Sequence, residues 1–473
     1  MSALTDRIRT LRGPGDESAF DRKLIAPMVL GALLNPVNSS MLAVALVPIG
    51  IAFGAPPSET VWLVTGLYLA TAVGQPVVGR LVDRYGPRGP YLLGAALVGL
   101  AGILGAVAPN LGTLVLARVL IGIGTCAGYP AAMYLIRREA DRTGIPSPSG
   151  ILAALAVSTQ VTAVIRPTLG GFLIGFGGWR TIFLVNVPLA LASLVLGWRR
   201  LPRIPTVQPA PGEPTGLDAP GIVAFAATLV TLMVFLTNPD LDRWYLLVIV
   251  AVAGVAFVWR ELHTAAPFLD LRVLAGNLPL LATYARQLLA LTVSYGFLYG
   301  YTQWLEAGRG LSASQTGLIL LPMFLVGVIV TTVSGRRPEV WLKLVVGGSV
   351  LVAACAAVLF VGATSPIWVL VVLSLVLGVP QGLLSLANQN ALYHQADPER
   401  LGASAGLLRT FTYLGALVAS AANGAFFGTT VDTTGLHELA AFLVGCAVLL
   451  LTLTLVDRSL RRVGRTVAVE GNS

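Results

Sequence analysis

The sequence predicts an all-α integral membrane protein with about 14 transmembrane helices. Of its 473 residues, 55% are hydrophobic and only 11% are charged. The mean hydropathy of +0.80 is far above that of soluble globular domains. Apolar runs alternate with short polar loops along the chain, and each run has about the 20 residues that a spanning helix requires. Arginines concentrate in alternate loops, as the positive-inside rule expects of cytoplasmic loops.

The apolar runs define the predicted helices in order. Six lie near residues 25–52, 60–80, 90–108, 111–136, 150–175 and 181–198. After a proline-rich basic linker, two lie near 218–237 and 244–260, and six more near 276–305, 313–335, 341–363, 366–390, 402–428 and 436–456. An even number of crossings places both termini on one side, and the arginine distribution makes that side the cytoplasm.

A weak internal repeat divides the chain. The segment SGRRPEVWLK at 334–343 separates two apolar runs much as GRLVDRYGPRGP at 79–90 does. Matching the two loops gives two six-helix bundles with two inserted transmembrane helices between them. The predicted divisions are a cytoplasmic tail at 1–24, a bundle at 25–198, a linker at 199–216, the inserted helices at 217–262, a bundle at 263–456 and a cytoplasmic tail at 457–473.

The segment Gly79–Pro90 is predicted to be a short polar loop between the second and third helices. Its glycines allow tight turns, and Asp83 suits a position near a helix N-terminus. Its arginines hold the loop in the cytoplasm; they are Arg80, Arg84 and Arg88. The pattern resembles the signature loop of the major facilitator superfamily.

Further stretches resemble the 14-helix drug:proton antiporter (multidrug efflux) family of that superfamily. They are LARVLIGIGTCAG at 116–128, RPTLGGFL at 166–173, WRTIFLVNVP at 179–188, FVWRELHTAAPFLDLRVL at 257–274 and GLSASQTGLILLP at 310–322. The resemblance implies the major facilitator fold and export of amphipathic organic compounds by alternating access, driven by the proton motive force without a cofactor. We expect a monomer in the lipid bilayer of the inner (plasma) membrane.

Two departures from the family pattern bear on mechanism. Asn38 stands where the family has an intramembrane aspartate in the first helix, and Arg166 stands where its antiporter motif has a glycine before Pro167. The chain therefore lacks one carboxylate and carries an extra guanidinium. Proton coupling through the first helix is not expected, which leaves open a proton-independent exchanger or uptake carrier for an organic anion.

Four arginines fall inside predicted spans, where each costs about 2.5–3.5 kcal/mol to insert. One of them, Arg409, is expected to snorkel to the cytoplasmic surface. Arg118, Arg166 and Arg286 therefore favour an anionic ligand in a central cavity. The alternatives are a hub bonded to backbone carbonyls for Arg118, a gate with Glu306 or Glu59 for Arg166, and snorkelling to the cytoplasmic surface for Arg286.

Other intramembrane groups are candidates for the cavity wall or the gate. Tyr284 and Tyr295 suit a planar ligand, or an anchoring role at the membrane interface. Asn38 and Asn388 either line the cavity or join helices. By resemblance, Asp83 with Arg84 latches the cytoplasmic side, and the coupling or gating candidates also include Arg118, Pro167, Gly170, Gly171 and Glu306.

Composition argues against other classes of function. The net charge of +9 is spread over many short loops, which indicates membrane topology rather than nucleic-acid binding. The three cysteines and three histidines have no metal-ligand spacing, and no catalytic set of acid, histidine and serine occurs in the spans. An enzyme is therefore not expected; a lipid-handling membrane protein on the same scaffold remains an alternative to a transporter.

Overall fold

The computed structural model describes residues 20–42, 45–55, 57–60, 62–144, 149–203, 218–237, 241–264, 267–269, 271–335, 339–427 and 431–461. Within these residues the chain is helical and contains no β-strand. The predicted tails and linker fall mostly outside the described residues.

The helices fall into three groups along the chain. The amino-terminal set comprises α1 (Ile25–Met41), α2 (Leu46–Phe53), α3 (Pro57–Thr60), α4 (Trp62–Tyr85), α5 (Arg88–Ala106), α6 (Leu111–Thr125), α7 (Gly128–Thr143), α8 (Ser149–Gly177), α9 (Arg180–Leu184) and α10 (Asn186–Arg200). The inserted pair is α11 (Ala219–Thr237) and α12 (Trp244–His263). After the short α13 (Leu271–Gly276), the carboxy-terminal set comprises α14 (Leu278–Gln303), α15 (Ala313–Ser334), α16 (Val340–Val358), α17 (Ile367–Gln395), α18 (Leu401–Phe427) and α19 (Thr433–Val456).

Helices coincide with the predicted apolar spans throughout the described residues. Eleven helical segments among them are long and apolar enough to cross a membrane. Three further long helices, α1, α8 and α14, lie where the sequence predicts the remaining spans. The total of 14 crossings and the division into two bundles stay predictions.

Three predicted spans are broken into two helices each, and a proline follows every break. Pro48, Pro130 and Pro188 are each the third residue of the helix that follows the break. A proline in the first turn sacrifices no hydrogen bond of its own helix, and its ring disfavours the helical conformation of the residue before it. Two of these stretches, Leu111–Thr143 and Arg180–Arg200, still count as single membrane-crossing segments.

The prediction that Gly79–Pro90 is a loop is wrong over most of its length. Residues 79–85 continue α4 and residue 88 already begins α5, so only Gly86 and Pro87 connect the two helices. Gly86 has a φ of 78°, a left-handed conformation that glycine adopts without strain. Asp83 is consequently carried on a rigid helix.

The apolar core has three main parts. One cluster runs from Met41 to Phe183 within the amino-terminal set, and a second runs from Leu289 to Leu460 within the carboxy-terminal part. A third joins the sets, because it includes Tyr129 from one and Tyr393 from the other. The two sets therefore share a continuous packed contact.

The inserted pair lies at the periphery. Only 22% of the spanning part of α11 and 11% of that of α12 is buried within the protein. The buried side chain of Met233 on α11 packs against Ala72 on α4 and Leu417 on α18. Helix α11 therefore covers the line along which the amino-terminal and carboxy-terminal sets meet.

Candidate functional site

The strongest contact between the two sets lies where α4 ends and α18 begins. We call this the basic end, because Arg80, Arg84, Arg137 and Arg400 lie there. Asp83 accepts hydrogen bonds from the backbone amides of Gly402 at 2.7 Å and Ala403 at 2.8 Å. These are first-turn amides of the 27-residue helix α18, so the carboxylate also meets the positive end of the helix dipole.

Small residues bring α4 and α18 into backbone contact. A Cβ atom on Gly79 would collide with the Gly402 carbonyl, and one on Gly406 would lie 2.9 Å from Pro76 Cα. Only glycine leaves room for this approach. The approach in turn carries the Asp83 carboxylate to the amides of α18.

Two arginine–tyrosine contacts also cross between the sets near the basic end. The Arg409 guanidinium of α18 lies 4.0 Å from the ring centre of Tyr129 on α7. The Arg137 guanidinium of α7 lies 5.7 Å from the ring centre of Tyr393 on α17. Each is a cation–π contact, which is attractive but easily exchanged for solvation of the charge. With the Asp83 contacts, they close the basic end.

A polar and aromatic cluster lies further along the same seam. Tyr413 on α18 donates a hydrogen bond of 2.6 Å to Asn35 Oδ1 on α1, and its ring centre lies 5.5 Å from that of Tyr68 on α4. Tyr295 on α14 lies in the neighbourhood of Tyr413, and its ring centre lies 5.5 Å from that of Tyr299. We call Asn35, Tyr68, Tyr295 and Tyr413 the central cluster; both sets contribute to it.

Hydrogen bonds fix the central cluster from each side. Asn35 Nδ2 donates to Thr125 Oγ1 at 2.8 Å and to Thr71 Oγ1 at 3.2 Å. In the carboxy-terminal set, Asn388 Nδ2 donates to Gln287 Oε1 at 3.0 Å, and Gln287 Nε2 donates to Thr412 Oγ1 at 3.0 Å. Thr412 precedes Tyr413 on α18, so this chain of amides supports the tyrosine. Asn388, a predicted cavity residue, is fully buried.

Arg118 and Asn38 meet at the end of α1. Arg118 donates to the backbone carbonyls of Leu63 at 3.0 Å and Asn38 at 3.1 Å. Its third nitrogen, Nη2, has no partner among the described residues. The Asn38 side chain donates to Asn186 Oδ1 at 2.6 Å and so joins α1 to α10. The side chains of Arg118 and Asn38 thus bind neighbouring helices. Arg118 Nη2 is the nitrogen that stays available for contact with a ligand.

Arg286 has an acidic partner that the sequence argument did not find. It is fully buried and forms an ion pair of 3.0 Å with Asp457, just beyond the end of α19. Its Nη2 donates to Thr283 Oγ1 at 2.6 Å. The guanidinium is therefore compensated, which removes Arg286 from the arginines that favour an anionic ligand.

The remaining predicted residues are dispersed. Tyr284 is buried, donates to the Ser404 carbonyl and stacks on Phe411 at 5.2 Å. Glu306 is exposed in a π-helical turn after α14, and Arg84 lies 5.5 Å from the ring centre of Tyr85. The side chains of Arg166, Pro167, Gly170 and Gly171 lie outside the described residues, although their backbone belongs to α8.

Metal-ligating side chains do not gather in the described part of the chain. No group of three histidine, cysteine, aspartate or glutamate side chains lies close enough together there to hold an ion. Cys126 and Cys355 are buried and unpaired by disulfides.

Comparison with known proteins identifies the family. The profile of the Major Facilitator Superfamily matches residues 28–420. The chain belongs to the major facilitator superfamily. Its all-α architecture with multiple membrane-crossing helices, predicted from the sequence, is thereby confirmed, and family membership points to a transporter rather than an enzyme.

Relatives of this facilitator include bacterial transporters and resistance proteins. It is 32% identical to the uncharacterized MFS-type transporter YwoD of Bacillus subtilis, over 88% of this chain and 92% of that protein. It is 25% identical to a methylenomycin A resistance protein of Bacillus subtilis, over 84% and 85% of the two chains. The human organic anion transporter MFSD10 shares the fold, with a TM-score of 0.64 at 16% identity over 92% of this chain and 99% of that one.

Several residues of the site were missed by sequence reasoning. Tyr68, Tyr129, Arg137, Tyr393 and Tyr413 were not singled out. A tyrosine inside an apolar span resembles any core aromatic residue, because nothing in the sequence shows which ring meets which. One sequence feature could have indicated Tyr413: it lies on the same predicted helix as the intramembrane Arg409.

Proposed function

We propose that this facilitator exports amphipathic organic compounds by alternating access, as a proton antiporter of the 14-helix drug-efflux type. The observation that carries the proposal is the central cluster, which is polar and aromatic, draws on both helix sets and lies beyond the closed basic end. Such a surface suits a ligand with a flat apolar face and a few polar groups.

The contacts at the basic end support a reversible closure. Asp83 bonds to amides of α18, and the two cation–π contacts use charges that water can solvate equally well. Breaking them on opening exposes groups that are readily hydrated. A state with the basic end open and the other end closed would then have nearly the same free energy as the state with the basic end closed. Alternating access requires two states of similar free energy.

The charge of the substrate follows from the arginines that stay uncompensated. Arg118 has no acidic partner among the described residues, and Arg166 remains a sequence-based candidate, whereas Arg286 is neutralised by Asp457. Anionic metabolites or antibiotics therefore remain in the proposed substrate range beside neutral amphipathic drugs. One relative is named as a methylenomycin A resistance protein, and this name favours export over uptake.

Transport by the purified protein in proteoliposomes tests the proposal. The probes are ethidium as a cationic dye, carboxyfluorescein as an anionic dye and Nile red as a neutral one, each with and without an imposed pH gradient. We expect protein-dependent movement of at least one dye, accelerated when the compartment opposite to the dye is acidic. A lipid-handling protein with this fold would move none of them.

Proton-independent exchange or uptake of an organic anion is the second candidate. It is favoured by Asn38, whose amide takes the position of the family aspartate and bonds to Asn186 instead of titrating. This candidate predicts that carboxyfluorescein moves at the same rate whatever the pH gradient. Acceleration by the gradient in both the wild type and Asn38→Ala would place the proton carrier elsewhere.

A further inference from the structure

The inserted helices are joined at their base by an ion pair. Asp218, just before α11, binds the Arg260 guanidinium near the end of α12 at 2.7 Å, and its Oδ1 also accepts from the Gly221 amide at 3.1 Å. Burial alone would raise the pKa of Asp218, but Arg260 and the Gly221 amide hold it below its usual range. Asp218 is therefore an ionised acceptor.

Glu261, the next residue after Arg260, is fully buried beside this pair. Its Oε2 accepts a hydrogen bond of 2.7 Å from the Leu269 amide. Its other oxygen, Oε1, has no partner among the described residues, and the same holds for Asp218 Oδ2. A Cβ atom added to Gly221 would collide with both of these oxygens, so they converge on one point.

The close approach of Glu261 Oε1 and Asp218 Oδ2 requires a proton between them. Two buried carboxylates cannot both stay ionised at such close approach, because neither has a counter-ion for its free oxygen. A proton on Glu261 Oε1, donated to Asp218 Oδ2, supplies the missing partner to both atoms at once. The Phe268 amide also faces both carboxyl groups, without reaching hydrogen-bond geometry with either free oxygen.

The carboxyl pair is linked to the latch on α4. Arg80, three residues before Asp83, donates through Nη1 to the Phe268 carbonyl at 2.6 Å and also to the Pro267 carbonyl. Residues 267–269 are therefore held by Arg80 on one side and by Glu261 on the other. A change at Glu261 would reach the basic end of α4 through this short segment.

We propose that Asp218 and Glu261 form a proton-binding site in which one proton bridges Glu261 Oε1 and Asp218 Oδ2 and thereby fixes residues 267–269 against Arg80. The site lies at the base of the inserted pair, away from the central cluster. The charged groups that face it are Arg260 from α12 and Arg80 from α4, and behind Arg80 lie Arg84 and Arg400.

Release of the proton changes the pair without any redox step. The Glu261 O–H bond breaks, the proton passes to water and Glu261 becomes a second carboxylate. Like charges then separate the start of α11 from the end of α12. Because α11 covers the seam between α4 and α18, we infer that proton occupancy here biases the position of the inserted pair along that seam.

Infrared difference spectroscopy of the full-length protein in proteoliposomes tests the site without any substrate. The measured signal is the C=O stretch of a protonated carboxyl group, recorded between about pH 8 and about pH 5, where an exposed glutamate of pKa about 4.3 stays mostly ionised. We expect a band that Glu261→Gln abolishes and that the exposed control Glu399→Gln leaves unchanged. In Asp218→Asn the band should move, since its acceptor becomes an amide.

Two glycine-to-alanine substitutions, one beside the carboxyl pair and one as its control, supply the second comparison. Gly221→Ala should push the two oxygens apart and shift the titration midpoint by about one pH unit, a tenfold change in proton affinity. Gly254→Ala on α12 meets only ordinary contacts and should leave the midpoint in place. The proposal is overturned if a folded Glu261→Gln variant keeps the band, or if neither Asp218→Asn nor Gly221→Ala alters it. Because no transport is measured, these outcomes are independent of the proposed function.

Discussion

Two buried arginines illustrate how one residue type serves different ends in this molecule. Arg118 donates to the carbonyls of Leu63 and Asn38, whereas Arg286 forms an ion pair with the carboxylate of Asp457. The sequence places both inside apolar spans and predicts a similar cavity role for each. Only the structure distinguishes the roles of the two arginines. The partner of Arg286 is 171 positions away in the sequence, and no local sequence pattern indicates it.

Replacing Arg118 with lysine tests the carbonyl hub. Lysine keeps the charge, but its single ammonium cannot reach both carbonyls in the fixed geometry of a guanidinium. We expect a loss of about 1.5–3 kcal/mol in stability, the scale of one hydrogen bond to a charged group, measured as a lower thermal midpoint in detergent. The exposed substitution Arg180→Lys is the control. Equal midpoints for wild type and Arg118→Lys would rule out the hub.

Asp83→Asn tests the latch at the basic end. The amide has one acceptor oxygen and no charge, so it keeps at most one of the two bonds to α18. We expect the population closed at the basic end to fall about tenfold, for a loss of roughly 1.4 kcal/mol. Spin labels at the exposed positions Tyr85 and His394 report the distance between the sets. An unchanged distance distribution, matching that of the control Glu59→Gln, would contradict the latch.

At the scale of helices, apolar runs and prolines dictate most of what is observed. The predicted spans match helices because a run of about 20 apolar residues in a bilayer can satisfy its backbone only as a helix. Three spans that the sequence predicts as single helices are broken, and Pro48, Pro130 and Pro188 stand in the first turn after each break. The segment 79–85 was taken for a loop because its polar residues looked solvated. They are helical, and Asp83 accepts hydrogen bonds from α18.

The crossing of α4 and α18 predicts a steric test. Gly406→Ala would place a methyl group against the backbone of Gln75 and Pro76, which cannot move without shifting α4. We expect the closed state to lose about 1–3 kcal/mol, seen as a longer distance between labels at positions 85 and 394. Gly424, on the same helix, has open space around its Cα. Gly424→Ala should therefore leave that distance unchanged, and equal effects of the two substitutions would argue against the crossing as the closure.

At the scale of the whole molecule, the site is a property of the seam between the helix sets. The sequence identifies the family, the apolar spans and Asp83, because these depend on local pattern. It does not identify the pairing of Tyr413 with Asn35 or of Arg409 with Tyr129, since these join residues more than 250 positions apart. Contacts of that kind depend on how the two helix sets pack, and the packing of the sets cannot be inferred from a single sequence.

Closing the basic end covalently tests the account most directly. A Cβ on Gly335 of the carboxy-terminal set would already touch Ala153 Cβ of the amino-terminal set, so a small shift allows the about 3.5–4.5 Å that a disulfide needs. In a protein with Cys126, Cys355 and Cys446 replaced by alanine, we would measure dye transport by Ala153→Cys/Gly335→Cys before and after reduction. Alternating access predicts no transport while the disulfide is intact and recovery on reduction, with both single-cysteine variants active throughout. Continued transport by the cross-linked protein would contradict it.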